Sequence, residues 1–294
     1  MPRWLVAVNG SAGRITTDPS LIAEVVGAVG LDAEIVAPGS PAEMTTALIA
    51  GAHRGFEHFA IAGGDGTVNL AVNALLPLEL GHPPVIGVLP VGTGCDLLRT
   101  FGLPQDLPGA AQHLMTDNVY PIDVVALEGD WGLRYFVNVA QAGVGAAAAQ
   151  TAVKIARWFG SVRYPMAFGA RLPRFPRTRI TLTTEKKTVE SEALAVIFAN
   201  AQFFAGGWNV APKATLVDGV LDIQIFDIKK RQAAALVPKV VKGTHLREPG
   251  VRRLSVSEFT LVTESPWPVE ADGDLIGNTT VRGRVIPAAV RLKI

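Results

Sequence analysis

Cysteine is almost absent from the chain. Its single residue, Cys95, has no partner for an intrachain disulfide and suits a reducing cytoplasm. A dominant charge is absent as well: 27 basic residues stand against 26 acidic ones, so nothing global favours nucleic acid or an anionic surface. Any such contact has to be local. Long apolar runs are missing too. The nearest approach to the roughly 18 uninterrupted apolar residues of a transmembrane helix is Ala142 to Val153, which is rich in alanine and glycine and stops at Lys154. Trp4 to Val8 is too short for a signal-peptide core and reads as a first strand. Histidines are few, at spacings no metal site uses, and no Gly-x-Ser-x-Gly or Cys-His constellation supports covalent catalysis. These absences point to a cytoplasmic protein that meets lipid, if at all, from the water side.

What is present can bury a large core. With 294 residues and 49% hydrophobic content, two domains are expected, meeting near Ile122 without a low-complexity linker. Residues 1–122 read as α/β. Thr17 to Val29 reads as a helix with Asp18 near its N-cap and Pro19 at its first position, Leu31 to Val36 reads as a second strand, and Pro41 to Arg54 has apolar residues at helical spacing. Phe59 to Leu76 then runs strand, glycine turn, helix, with Gly63-Gly64-Asp65-Gly66-Thr67 at the turn. Backbone of this kind can aim several N–H groups at one point above a helix N-terminus, where phosphate is the natural guest. Asp65 would repel phosphate unless it holds Mg²⁺, organises the loop by hydrogen bonds or takes part in chemistry. A second such unit follows: Val85 to Leu89, then Pro90-Val91-Gly92-Thr93-Gly94-Cys95-Asp96, then a short helix from Leu97. Helix-linked parallel strands place their turns at one sheet edge, so both loops are expected to face one crevice. The polar stretch after the first strand, with Asn9, Ser11 and Gly13, is a candidate third contributor.

Residues 123–294 change character. Short alternating or apolar runs with few helices predict a β-rich, sandwich-like domain, and the last ten or so residues are expected to return to the first domain. Two Asp-Gly turns carry carboxylates, Asp218 before Asp222, and Glu270-Ala271-Asp272-Gly273-Asp274; either alone is an ordinary hairpin signal. Thr151 to Thr184 holds seven Lys and Arg residues, from Lys154 to Arg179, and no acid, with Trp158, Phe159, Tyr164, Phe168 and Phe175 interleaved. A solvated helical face explains such a stretch. So does an interfacial surface on anionic lipid, and residues 154–179 are the expected peripheral membrane contact. Nucleic acid is not expected, because no other basic stripe extends the patch. A homodimer is left open.

The two glycine motifs, in this order and at this separation, resemble the bacterial diacylglycerol kinase and sphingosine-kinase-like lipid kinases. The resemblance extends to the Phe136-Val137-Asn138-Val139 stretch with Gly143, to the segment from Ala211 to Ile223, and to Val269-Glu270-Ala271-Asp272-Gly273-Asp274. It implies two domains with the active site in the cleft between them. ATP is then held by Asn9, Ser11, Gly63, Gly64, Asp65, Gly66, Thr67 and Asn69, and by Gly92, Thr93, Gly94, Cys95 and Asp96. It also implies a structural Mg²⁺ on Asp218 with main-chain carbonyls around Thr215 and Val220. Asp272 and Asp274 are the implied catalytic pair, one of them the general base toward a lipid hydroxyl, and Asp65 is a third catalytic candidate. Three positions depart from the family pattern: Leu70 where glutamate is usual, Cys95 where asparagine is usual, and Gly145 where aspartate is usual.

The expected function is an ATP- and Mg²⁺-dependent lipid kinase of phospholipid metabolism, cytoplasmic and peripherally membrane-associated. A kinase of a soluble substrate resembling the NAD kinases is one alternative; a nucleotide- or lipid-binding protein without turnover is another. Cys95 at a helix N-terminus beside phosphate would carry a reactive thiolate that nucleotide shields.

Overall fold

The computed structural model describes residues 2–10, 18–91 and 95–294, the side chains of 157, 160 and 161 excepted. Two compact units emerge, Met1–Asp123 with Pro287–Ile294, and Val124–Ile286.

In the first unit, β1 (Trp4–Val8), β2 (Ala33–Val36), β3 (His58–Gly63) and β4 (Val85–Pro90) form a parallel sheet in the order β2-β1-β3-β4. All five residues of β1 and all six of β4 are buried, as near-continuous apolar runs must be when helices cover both faces. Helices α1 (Pro19–Ala28) and α5 (Leu107–Leu114) put Ile22, Val26 and Leu114 against Trp4, Val6 and Leu89. On the other face α2 (Pro41–His53) comes so close that a Cβ on Gly51 would lie 2.4 Å from Leu5. Helix α3 (Asp65–Leu75) follows β3 and α4 (Asp96–Thr100) follows β4. Asp18 caps α1 by accepting from the Ser20 N–H at 2.9 Å, and Ser40 caps α2. The C-terminal residues return here: Arg291 and Leu292 pair in parallel with Val85 and Ile86, and the Ala288 N–H donates to Asp123 at 2.9 Å.

The strands of the second unit begin with β5 (Val119–Gly129), which enters from the first unit, β6 (Gly132–Phe136) and β7 (Val139–Gly143). Helices α6 (Val144–Ala152) and α7 (Arg163–Arg171) come next, then β8 (Thr178–Thr184), β9 (Thr188–Ala193), β10 (Ala195–Ala199), the short β11 (Phe203–Phe204) and β12 (Trp208–Asn209), and β13 (Leu221–Phe226). After α8 (Lys230–Val241) come β14 (Val251–Val256), β15 (Glu258–Thr263), β16 (Pro268–Ala271), β17 (Asp274–Asn278) and β18 (Val281–Lys293), whose end lies in the first unit.

One antiparallel sheet runs β14-β13-β10-β7-β16-β17; the other includes β9, β8, β15 and the start of β18. Apolar residues of both, Leu127, Phe136, Phe198, Ile223 and Phe259 among them, form a sandwich core in which the Phe198 and Phe259 rings stack 4.3 Å apart. Helices α6, α7 and α8 pack against the six-stranded sheet through Val144, Leu172 and Leu236, over a second apolar cluster with Val139, Ile197 and Phe226.

Helices are more prominent here than the sequence led us to expect. Alanine dominates α6, which reads as an apolar run without a stripe. Helix α8 carries Pro238 inside it and buries only Ala233 and Leu236, too narrow a face to stand out. The apolar run Val281 to Ile286 reads as the last strand, yet β18 continues through Pro287 to Lys293.

Candidate active site

Each unit carries one part of the candidate machinery. In the first, β3 ends at Gly63 and Gly64 caps α3 without a side-chain bond, its carbonyl accepting from the Thr67 N–H at 2.9 Å and the Val68 N–H at 3.1 Å. Gly63 has to lack a side chain, because its Cβ would lie 2.4 Å from the Thr67 hydroxyl. That hydroxyl accepts a bond from Asn9 Nδ2 at 2.9 Å, which ties the end of β1 to the first turn of α3.

Asp65 uses both carboxylate oxygens on the neighbouring loop. Oδ1 accepts from the Leu97 N–H and from Cys95 Sγ, each at 3.0 Å, and Oδ2 accepts from the Asp96 N–H at 2.9 Å. Of the three roles open to it, loop organisation by hydrogen bonds is the one this geometry displays. Asp65 caps α4 and fixes the two strand-to-helix turns against each other, at the edge where Gly63 pairs with Pro90. Asp96 is buried and ion-paired with Arg99. Asn69, also buried, accepts from the Asn73 amide at 3.1 Å, and Leu70 is half-buried. Ser11, Gly92, Thr93 and Gly94 lie outside the described residues.

The expectation for Cys95 has to be corrected. Its side chain is fully buried, and burial followed by the Asp65 charge pushes the thiol well above its ordinary range. The Leu98 and Leu97 backbone bonds that favour a thiolate are outweighed, and the sulfur itself donates to Asp65. Native protein should therefore resist alkylation at Cys95 with and without Mg·ATP. Iodoacetamide labelling followed by mass spectrometry reads this, and rapid labelling of folded protein would contradict it.

In the second unit, Ala271 pairs with Asp274 across a two-residue turn. Its central residues, Asp272 (φ 46°) and Gly273 (φ 96°), both occupy the left-handed region, as the tight hairpin turn favoured by Asp-Gly requires. The buried Asp272 accepts three main-chain bonds, from Val137 at 2.7 Å, Asn138 at 2.9 Å and Val139 at 3.1 Å. Asp274 is exposed at the start of β17.

Beneath this turn lies a residue that sequence reasoning did not single out. Glu270 is fully buried, accepting from Gln141 Nε2 at 2.7 Å and from the Gly273 N–H. Burial, reinforced by the charges of Asp272 and Asp274, pushes its carboxyl up to about 8. The only sequence signal was an acid at an inward position of the strand preceding Asp-Gly.

Gln141 also lines an apolar cavity of about 80 Å³ between the six-stranded sheet and helices α7 and α8. Ile197 and Phe226 from the sheet, Phe168 from α7 and Leu236 from α8 form its walls. Tyr164 adds a second polar group, its hydroxyl 3.4 Å from Gln141 Oε1 and kept protonated by burial.

Asp218 is exposed in the Thr215–Val220 turn, where its Oδ1 accepts from the Val220 N–H at 3.2 Å. Nearby Asp222 is buried and paired with Arg253. Among the described residues no group of three or more His, Cys, Asp or Glu could hold a metal. One carboxylate with main-chain carbonyls is an oxygen-only donor set, and that chemistry fits a hydrated Mg²⁺.

The basic–aromatic stretch divides. Tyr164 and Phe168 face the cavity, Phe175 packs on Trp267, and Arg177 pairs with Asp227 at 2.6 Å. Trp158 (75% exposed), Val153 (73%), Val162 (50%) and Met166 (46%) stand in solvent, with Lys154, Arg171 and Arg174 exposed nearby in sequence. Among the described residues no helix is long and apolar enough to cross a membrane.

Comparison with known proteins bears on both units. Residues 3–127 match the diacylglycerol kinase catalytic domain, and residues 138–294 match the YegS C-terminal NAD kinase beta sandwich-like domain. A diacylglycerol kinase of Mycobacterium tuberculosis (strain H37Rv) is 30% identical over 293 residues, spanning 97% of this chain and 89% of that protein. A diacylglycerol kinase of Bacillus subtilis (strain 168) is 27% identical over 229 residues, or 76% and 73% of the two chains. The crystal structure of a diacylglycerol kinase from Bacillus anthracis (strain Sterne) superposes with a TM-score of 0.75 at 21% identity, covering 99% of this chain and 96% of that one, and shares the fold. The matches to both halves, and the near full-length relative, show that the chain belongs to the diacylglycerol kinase family of lipid kinases.

Proposed function

We propose that this protein transfers the γ-phosphate of ATP to the hydroxyl of a diacylglycerol-like or sphingoid lipid. The observation that carries the reading is the apolar cavity, whose polar wall, Gln141, is two hydrogen bonds from the Gly273 amide beside Asp274. A hydrocarbon chain suits those walls, and a hydroxyl at the polar side would be presented near the turn.

Asp274 accepts the hydroxyl proton. It is exposed, whereas Asp272 commits its oxygens to three N–H groups and holds the turn in place. The glycine turn at the start of α3, Asn9 with Thr67, and the loop through Gly92, Thr93 and Gly94 take the nucleotide phosphates; Asp65 and Cys95 brace those loops from behind. A Mg²⁺ held by Asp218 and the Thr215 and Val220 carbonyls would supply charge neutralisation at that turn. With little covalent chemistry to perform, positioning carries the rate. Phosphate transfer to detergent-dispersed diacylglycerol and sphingosine, set against transfer to NAD, tests the reading; transfer to NAD alone would overturn it.

The lipid reading also calls for contact with a membrane, and the exposed Val153, Trp158, Val162 and Met166 beside a cationic surface are suited to the headgroup layer. The double variant Trp158→Ala, Met166→Gln should lower partitioning onto vesicles by roughly tenfold, and Arg171→Glu with Arg174→Glu should remove the preference for anionic lipid. Co-sedimentation unchanged in both would refute the assignment.

A further inference from the structure

A buried carboxyl group on a sandwich strand is costly unless its hydrogen bonds are made, and an apolar residue would serve packing better. Glu270 is such a group, and its two bonds lead in different directions. Oε1 takes the N–H of Gly273, the residue between Asp272 and Asp274. Oε2 takes Gln141 Nε2 at 2.7 Å, from the residue opposite it on β7. Gln141 in turn lines the apolar cavity, its Oε1 3.4 Å from the Tyr164 hydroxyl.

The cavity wall is shaped around this amide. A Cβ on Gly145 would lie 1.9 Å from Gln141 Oε1 and 3.2 Å from the Tyr164 hydroxyl, so Gly145 is what lets Gln141 adopt this position. The Asp272 half of the turn is anchored separately, on Val137, Asn138 and Val139. Glu270 is the side chain that takes the Gly273 amide, on the Asp274 side of the turn.

We propose that Glu270 is a positioning residue that sets Asp274 through the Gly273 amide, and that Gln141 makes this setting respond to what occupies the apolar cavity. The inference rests on the lipid-kinase reading for its consequence in catalysis, but not for its geometry. A lipid chain packed beside Gln141 and Tyr164 would confine the Gln141 amide, and with it the Glu270 carboxyl group that fixes the turn. Phosphate transfer would then be favoured when a substrate is in place.

The test compares Glu270→Leu, Glu270→Gln and Gln141→Leu with wild type, all in the full chain and each checked for folding by thermal melting. In Glu270→Gln the introduced amide oxygen can accept from Gly273 while its NH₂ donates to a flipped Gln141. Misplacing a reacting group by an ångström costs about a hundredfold, so Glu270→Leu should lower kcat toward dispersed diacylglycerol by about that factor with KM for Mg·ATP unchanged. Glu270→Gln should recover most of the loss. A Glu270→Leu protein that folds and keeps wild-type kcat would overturn the positioning role, as would a Glu270→Gln variant as slow as Glu270→Leu.

Amide exchange at Gly273, followed by NMR, needs no turnover. It should accelerate by about tenfold or more in Glu270→Leu. In wild type, exchange should slow when diacylglycerol dispersion is added, and Gln141→Leu should abolish that slowing. Exchange indifferent to lipid would remove the coupling. If wild type phosphorylates no lipid, the functional reading fails in the transfer assay while exchange in Glu270→Leu still decides whether Glu270 holds the turn.

Discussion

Asp274→Asn should lower kcat for lipid phosphorylation by about 10³-fold, within the range of a lost general base, while melting temperature and Mg·ATP binding stay at wild-type values. Exposure explains the second half of that expectation: Asp274 buries nothing that the fold depends on. Asp272→Asn is a different experiment, though the two carboxylates flank one glycine. An amide in place of the Asp272 carboxylate turns an NH₂ toward at least one of three buried N–H donors, on Val137, Asn138 or Val139. Leaving such a group unsatisfied costs about 1–3 kcal/mol, so this variant should lose melting temperature together with activity. Full-length protein, steady-state kinetics and calorimetry on both variants separate the two roles. A stable Asp272→Asn enzyme that is inactive beside an active Asp274→Asn enzyme would reverse the assignment.

The second large effect is in stability against pH. Burial raises the Glu270 carboxyl from its ordinary 4.5 to about 8 in the folded protein, so between those values the unfolded chain has released a proton that the folded chain still holds. The folded state binds more protons there, and stability falls as pH rises. Glu270's contribution is fully present below pH 4.5 and is lost progressively as pH rises through about 8. The slope inside the window approaches about 1.4 kcal/mol per pH unit. Glu270→Gln removes the titration while keeping the shape. It should match wild type near pH 5 and exceed it by a few kcal/mol, on the order of two pH units' worth, near pH 8.5. Urea unfolding of both proteins at the two pH values gives a difference of differences, in which other titrating groups such as the buried His245 cancel. Equal stability of the two proteins at both values would show that Glu270 ionises normally.

Local chemistry made much of the first unit legible. Asp18 and Pro19 start α1 because a side-chain cap and a missing N–H both suit a first turn, and Gly63 to Thr67 reads as a strand-to-helix turn because its flanks are continuously apolar. Asp65 shows the limit of that reading. Its residue type permits three roles, and only the position of α4 reveals that Asp96, Leu97 and Cys95 all donate to it. The same contact bears on Cys95: helix N-termini do lower thiol pKa, but here burial and the adjacent Asp65 charge outweigh the Leu98 and Leu97 backbone bonds.

The second unit was harder. Its sandwich is announced by alternating runs, but α8 hides behind a narrow apolar face, and the cavity exists only once α7 and α8 lie over the sheet. Gln141 and Glu270 look ordinary in sequence because their significance is a cross-strand pairing over 129 positions. Gly145, which departs from the family pattern in sequence, leaves the space that the Gln141 amide occupies.

The most direct test of the account is transfer of label from γ-labelled ATP into a panel of dispersed lipids, extracted into organic solvent and compared between wild type and Asp274→Asn. The account predicts a labelled lipid from wild type and almost none from Asp274→Asn, with nucleotide bound equally by both. Wild-type protein that binds ATP yet labels no lipid, or an Asp274→Asn variant that labels lipid at the wild-type rate, would contradict it.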